Sequence, residues 1–378
     1  MARLRTDWIL FITILAMTGM GLAMVYSASV PIAEIKRGLA PFSFAWKQLL
    51  FIVVSFMLLM ILKRLDYRKM NSPIWAFSWL GFVIAALIVV YFIGSQHRWI
   101  RLGPFGLQPS EFAKPAMAVF LAYFVSRRGS TLNESRTLLQ GGLAVAMLTL
   151  LVIVADFGTA LVPLFTAAII FWIAGLSRRY IAAGIVACIF LAIVSICSRG
   201  YRLGRVIAFV DPEYRIIETI DTGHRVRSFV QASTTVADQT YQGRQSMIAI
   251  GTGGVFGVGI TRGKQSLLFL PEVHTDFIYA AVGEELGLWG ASAVLFGFLI
   301  ILWRGARLFL RAHDDFARYL ALGCTLSIVI QAMINITVAL KMVPTKGFPL
   351  PLFSYGGSSM VATMILLGML LCVAEREA

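Results

Sequence analysis

The chain has 378 residues, 58% hydrophobic and only 14% charged, with a formal net charge of +14. Soluble domains carry about 25% charged residues, so this composition excludes an ordinary globular enzyme and indicates a polytopic membrane protein. The positive charge forms no lysine-rich tail and no basic low-complexity run, so nucleic acid is excluded as a partner, and anionic lipid or a phosphorylated, lipid-linked substrate fits better.

Hydropathy predicts ten spans, near 8–30, 44–62, 73–94, 111–126, 140–155, 159–176, 180–198, 277–303, 319–340 and 356–373. The first apolar run exceeds the roughly 7–15 residues of a secretory signal core and reads as an uncleaved span. Lys and Arg of the short loops concentrate on one side, about twofold over the other. That side includes Lys63, Arg64, Arg68 and Lys69, then Arg127 and Arg128, and Arg304 to Arg318. The bias predicts both termini inside. The expected fold is an all-α polytopic membrane protein, a bundle of about ten transmembrane helices. It forms a single domain over 1–378 with one long extracytoplasmic loop at about 199–275, seated in the cytoplasmic (inner) membrane. Cys188, Cys197, Cys324 and Cys372 lie in or beside spans without C-x-x-C spacing, so neither a disulfide framework nor a zinc site is expected. The four histidines are too scattered for an H-E-x-x-H type of site.

In chain order, the first polar cluster is the loop from Gly94 to Lys114. Ser110, after Pro109, is a plausible cap that places Glu111 and Lys114 on one face of span four, three residues apart, where they can pair. The pair neutralises itself on entering the bilayer, or Lys114 holds a phosphate with Glu111 orienting it. Asp156 sits in the short turn between spans five and six, at a helix-capping position. The long loop carries Arg199, Arg202, Arg205, Arg215, Arg225, Arg227, Arg244, Arg262 and Lys264, either against lipid headgroups or as a bay for a pyrophosphate. Its Gly251–Gly259 stretch lacks G-K-[ST], so it reads as a tight or re-entrant backbone rather than a nucleotide loop.

Leu270–Gly287 then places Glu272, His274, Thr275 and Asp276 where an apolar segment begins, with Glu284 and Glu285 deeper along it. Ionisable groups at or in a membrane are expensive, which makes Asp276 the leading candidate for a catalytic carboxylate. Its bland alternative is a helix cap. Glu284 and Glu285 cannot both face lipid, and Gln331 and Asn335 at i, i+4 suggest an interhelical hydrogen-bond pair. Val343–Ser359 contains three prolines that forbid a continuous helix, so Lys346, Ser354, Tyr355, Gly356, Gly357, Ser358 and Ser359 read as an ordered loop lining a cavity. The charge-derived topology puts all these patches on one side, which predicts one shared cavity.

These residues resemble the SEDS family (shape, elongation, division and sporulation). The resemblance covers nearly all the spans. It rests on Arg98-Trp99 with Gln108–Lys114, Asp156–Thr159, Leu270–Phe277, Gly283–Gly287, Pro344–Gly347 and Ser354–Ser359, and looks closer to the division branch than to the elongation branch. It implies a peptidoglycan glycosyltransferase that polymerises lipid II at the outer face of the membrane, at the division septum. A class B penicillin-binding protein, other division proteins and membrane lipids would be its partners. It also implies Asp276 as the catalytic residue and Glu111–Lys114 as its support, with Arg98, Trp99, Asp156, Arg202, Arg205, Gln242, Glu272, His274, Thr275, Lys346 and Ser354–Ser359 around the substrate. A divalent cation, Mg or Mn, is expected, and no organic cofactor. Two readings compete: a lipid II flippase, which would place its polar site near the midplane, and a scaffold, which needs no buried carboxylate.

Overall fold

The computed structural model describes residues 6–31, 40–94, 98–102, 105–198, 200–211 and 236–377. All ten predicted spans are helical. They are α1 (Trp8–Pro31), α2 (Ser43–Arg64), then past the single turn α3 (Tyr67–Met70), α4 (Pro73–Ile93), α5 (Ala113–Arg128), α6 (Ser135–Ala155), α7 (Phe157–Ile173) and α8 (Arg178–Cys197). After α9 (Gly200–Val210) and α10 (Val236–Gly253) come α11 (Ile278–Arg311), α12 (Asp315–Ala339) and α13 (Gly357–Glu377). Eight of the described helices are long and apolar enough to cross a membrane, while α7 is apolar but shorter. Local chemistry sets several boundaries. Ser72 accepts a hydrogen bond from the Trp75 amide ahead of Pro73, and Asp314 accepts from the Ala317 amide at the start of α12.

Two packed cores share α5. One joins α1, α2, α11, α12 and α13, and the other joins α4, α5, α6 and α7. α5 and α13 are buried along most of their length, whereas α8 buries no residue against the rest of the chain. The alternating traverse brings the start of α1 and the end of α13 to one end of the bundle. There Arg304 binds Asp7 at 2.6 Å, Lys63 binds Glu375 at 2.9 Å, and the Tyr67 hydroxyl donates to Glu377. The polar patches singled out above occupy the opposite end.

Three sequence expectations are corrected. The predicted long loop is largely helical where it is described, through α9 and α10, while Arg199, Arg215, Arg225 and Arg227 lie outside the described residues. The stretch before span four holds an antiparallel hairpin, β1 (Ile100–Leu102) with β2 (Phe105–Leu107), pairing Ile100 with Leu107. Ser110 caps nothing: Pro109–Phe112 form a 3-10 turn, and the Ser110 hydroxyl instead accepts from the Gln108 side-chain Nε2 at 3.0 Å.

The glycine-rich stretch folds as a tight backbone hook, one of the two forms its sequence allows. α11 is broken at Gly287, whose φ of +66° is left-handed backbone that favours glycine. The Gly251–Gly259 segment hooks round that break. Val258 and Gly259 donate to the Glu284 and Glu285 carbonyls at 3.0 Å, and Leu288 donates to the Gly254 carbonyl at 2.9 Å. Backbone groups freed inside an apolar environment therefore find partners in the hook. The two glutamates complete it. Glu284 accepts from the Gln265 and Ser266 amides at 2.9 and 2.7 Å, and Glu285 accepts from the Ser27 hydroxyl at 2.6 Å.

Candidate active site

At the end of the bundle opposite the termini, a cavity of about 690 Å³ opens between the hairpin, the α6–α7 junction, α9, the 270–277 turn and the 343–356 loop. Fifteen of the sequence-predicted site residues line it: Arg98, Trp99, Glu111, Asp156, Arg202, Arg205, Gln242, Glu272, Thr275, Asp276, Lys346, Tyr355, Gly356, Ser358 and Ser359. Tyr91, Gln108, Phe277, Gly347 and Pro349, which are not among the expected site residues although three of them bound the motifs, line it too.

Asp276 precedes the first turn of α11, yet it is not the cap. Phe277 occupies the cap position, and no side chain caps the helix there. Its backbone is fastened from two sides: its amide donates to the Glu272 carbonyl at 3.1 Å, and its carbonyl accepts from Asn335 Nδ2 at 2.8 Å. Among the described residues its carboxylate has no ion-pair partner. Burial, with the Glu272 and Asp156 carboxylates adding to it, pushes the Asp276 carboxyl up to about 7, against the opposing pull of Arg205 and Arg98. Glu272 itself has a φ of +51°, a conformation that costs a non-glycine residue about 1–2 kcal/mol and is tolerated where function holds it. Gly347 packs against the acid. A Cβ there would come within 2.5 Å of Asp276 Oδ2, so the loop passes this close only because the residue is glycine.

Asp156 centres the cationic wall. It caps α7 by accepting from the Gly158 amide at 3.1 Å and the Thr159 hydroxyl at 2.9 Å, and it also pairs with Arg98 at 2.6 Å and Lys346 at 2.9 Å. Burial works to raise its pKa, but the Lys346 and Arg98 cations outweigh it and hold the carboxyl below its usual range. Burial pushes the Lys346 ammonium down to about 8, with the Asp156 carboxylate resisting.

Four predicted residues stand behind the cavity wall rather than on it. Lys114 is wholly buried, donating to Glu111 at 2.7 Å and to the Gln331 side chain. A direct phosphate contact by Lys114 is therefore corrected: the only cavity-facing member of the pair is Glu111. His274 packs edge-on against Phe44 at 5.4 Å and beside Tyr355. Ser354 donates to the Thr275 carbonyl and accepts from the Leu350 amide at 2.7 Å, stapling the proline loop to the Asp276 turn. Gly357 makes room for Phe51. Gln331 makes the interhelical bond expected of it, accepting from Lys114 of α5, and it also donates to the Pro349 carbonyl at 2.8 Å, while Asn335 tethers the loop at the Phe348 carbonyl. Gln48 was missed, although a lone glutamine in the apolar α2 was the available signal. It holds the Ser354 carbonyl and the Gly356 amide, both at 3.2 Å.

Of the five described basic residues in the 199–275 segment, Arg202 and Arg205 reach the cavity. Arg202 Nη2 donates to the Ile153 carbonyl at 3.4 Å, and its guanidinium lies over the Phe157 ring at 5.7 Å. Among the described residues no group of three or more His, Cys, Asp or Glu side chains could enclose a metal. Glu272 and Asp276, one turn apart on the cavity, fit a cation of the magnesium type, which needs one or two carboxylates and takes its other ligands from water and phosphate.

The sequence matches the model of the FtsW, RodA and SpoVE family, described as cell cycle protein, over residues 7–378. The chain belongs to this family. It is the SEDS family that the motifs resemble. The probable peptidoglycan glycosyltransferase FtsW of Alkalilimnicola ehrlichii is 37% identical over 378 residues, covering 98% of this chain and 89% of that protein. The stage V sporulation protein E of Bacillus subtilis is 33% identical over 375 residues, covering 98% and 97%. The fold matches that of the rod shape determining protein RodA of Thermus thermophilus, with a TM-score of 0.69 at 24% identity, covering 99% of this chain and 98% of that one. It also matches a chain from a peptidoglycan synthase complex, with a TM-score of 0.74 at 24% identity and 99% coverage of both chains.

Proposed function

We propose that this chain is a peptidoglycan glycosyltransferase that polymerises lipid II into glycan strands at the outer face of the cytoplasmic membrane, in septal cell-wall synthesis. The observation that carries the reading is one cavity in which Asp276, a desolvated carboxylate with its pKa near neutrality, shares a wall with Arg98, Arg202 and Arg205. The 4-hydroxyl of the acceptor sugar attacks the anomeric carbon of a lipid-linked donor. Asp276 takes the hydroxyl proton as general base, the new C–O bond forms, and the anomeric C–O bond to the diphosphate breaks. A carboxylate with a pKa of about 7 is matched to that task, because it is both available as a base and basic enough to use. The arginines favour the charge that grows on the departing diphosphate. A magnesium or manganese ion held by Glu272 beside Asp276 would add positive charge there.

The family relationship and the likeness to a chain of a synthase complex support a class B penicillin-binding protein as the partner. The charge bias of the short loops supports both termini inside. Single cysteines in a cysteine-free background test this. One replacing Tyr241 should label with an impermeant thiol reagent in intact cells and one replacing His313 should not; the reverse would invert the topology.

The decisive experiment supplies lipid II to the outer-facing side of proteoliposomes containing the chain, its partner and a divalent cation. Glycan polymer should form, and Asp276→Asn should stop it without changing the rate at which labelled lipid crosses the bilayer. Accelerated crossing without polymer, lost on that substitution, would establish a flippase instead.

A further inference from the structure

The wall of the cavity holds a cation whose placement the base chemistry does not explain. Lys346 Nζ sits 2.9 Å from Asp156 Oδ1 and 5.0 Å above the Phe157 ring centroid. Its stem passes over Gly158, where a Cβ would come within 2.6 Å of the lysine Cε. The next residue, Gly347, is the one pressed against the Asp276 carboxylate. Two consecutive positions of one loop therefore fix a cation and a base on the same cavity. Lys346 also lines a second chamber of about 310 Å³, apolar in character, with Leu161, Phe165, Val206, Ile334 and Val338 in its wall. It shares this double position with Arg202 and Arg205. A sugar–diphosphate–polyprenol must put its diphosphate where a polar chamber meets an apolar one, because its two ends demand opposite solvents.

We propose that Lys346 is the catalytic cation that receives the leaving diphosphate, and that Asp156 is a positioning residue which holds the Lys346 ammonium until that charge develops. The inference rests on the glycosyltransferase reading. As the anomeric C–O bond breaks, its electron pair passes to the diphosphate oxygen, which gains one negative charge, while the acceptor proton goes to Asp276. The ammonium then exchanges one anion for another instead of waiting solvated. That avoids reorganisation at the moment of reaction, which is what makes preorganised charge effective. A bare lysine at a wall of this kind would be pushed toward its neutral form. Asp156 keeps it protonated against burial and against Arg98 and Arg205. The other charged groups facing this corner are Arg202, Glu272 and Asp276.

The test is inhibition of lipid II polymerisation by undecaprenyl diphosphate, with undecaprenyl monophosphate as control, using the chain together with its partner. For wild type, diphosphate inhibition should weaken by about tenfold per pH unit above pH 8, as Lys346 loses its proton. Lys346→Gln should weaken it by about tenfold or more at pH 7 and lower kcat more than it raises KM for lipid II. Lys346→Arg should retain inhibition and remove the alkaline limb, since arginine stays charged. Asp156→Asn should move that limb to lower pH, because the carboxylate that raises the lysine pKa is gone. Wild-type inhibition in Lys346→Gln, or an unchanged limb in Lys346→Arg, overturns the assignment. Should Lys346→Gln fail to insert, the Lys346→Arg profile decides alone. Absence of polymer from wild type removes the glycosyltransferase reading instead.

Discussion

The two ends of the bundle spend their charges differently. At the end that holds the termini, Asp7 meets Arg304, Glu375 meets Lys63 and the Thr6 hydroxyl, and Glu377 accepts from Tyr67 and the His313 amide. Each of those carboxylates is matched, and together they fasten α1, α2, α11 and α13. At the other end burial raises the proton affinity of Asp276, the Glu272 and Asp156 carboxylates add to it, and no ion-pair partner among the described residues offsets it. Matched charge locks helix ends, while unmatched charge stores a tendency to move a proton. The same residue types serve both purposes, so the surroundings and not the residue type decide which is a site.

The sharpest break in that comparison is Asp276→Asn. It keeps shape but removes the base, so polymerisation should fall at least about a thousandfold, while thermal stability holds or rises because a desolvated charge is gone. Near-normal turnover in a lipid II assay would end the assignment. Gly347→Ala should come next. Its Cβ would press within 2.5 Å of Asp276 Oδ2 and displace the carboxylate, and misplacement by about 1 Å costs roughly a hundredfold in rate. Unaltered kcat in that variant would mean that the carboxylate has room to spare.

A pH series sharpens the contrast further. Asp276 works deprotonated and Lys346 protonated, so kcat should rise about tenfold per unit below pH 7 and fall again above about pH 8. A profile flat from pH 5 to 7 would show that a different group, already ionised, is the base. The smallest effect on turnover is expected from the other end. Arg304→Ala leaves Asp7 buried without its partner and should cost about 3–5 kcal/mol of stability, with turnover per folded molecule unchanged. Loss of kcat without loss of melting temperature would break the division of labour.

The fold was legible because lipid imposes a coarse rule: long apolar runs become helices, and all ten did. Residues governed by close packing were less legible. The β1–β2 hairpin carried a signal, Gly103-Pro104 between two short apolar runs, but it lay inside a stretch read as one polar loop. For Lys114 the sequence left open a self-neutralising pair with Glu111 or a phosphate contact, and its charge is spent on Glu111 and Gln331 behind the wall. His274 stands two residues from Asp276 and Ser354 in the separate Ser354–Ser359 motif, and neither position revealed that these side chains brace the wall and do not line it. Gly347 was hidden for the opposite reason. A glycine matters there through the side chain it lacks, and only the position of the Asp276 carboxylate makes that visible.

The hook around Gly287 has a consequence for amide hydrogen exchange. The amides of Val258, Gly259 and Leu288 lie in or beside irregular backbone, where rapid exchange is the ordinary expectation. Each is bonded across the break, so opening the hook requires lifting it off α11 and exposing both strands of the contact together. Their exchange should therefore be slow and concerted, with one shared opening rate, and Gly287→Ala should quicken all of them at once while leaving the amides of α12 untouched.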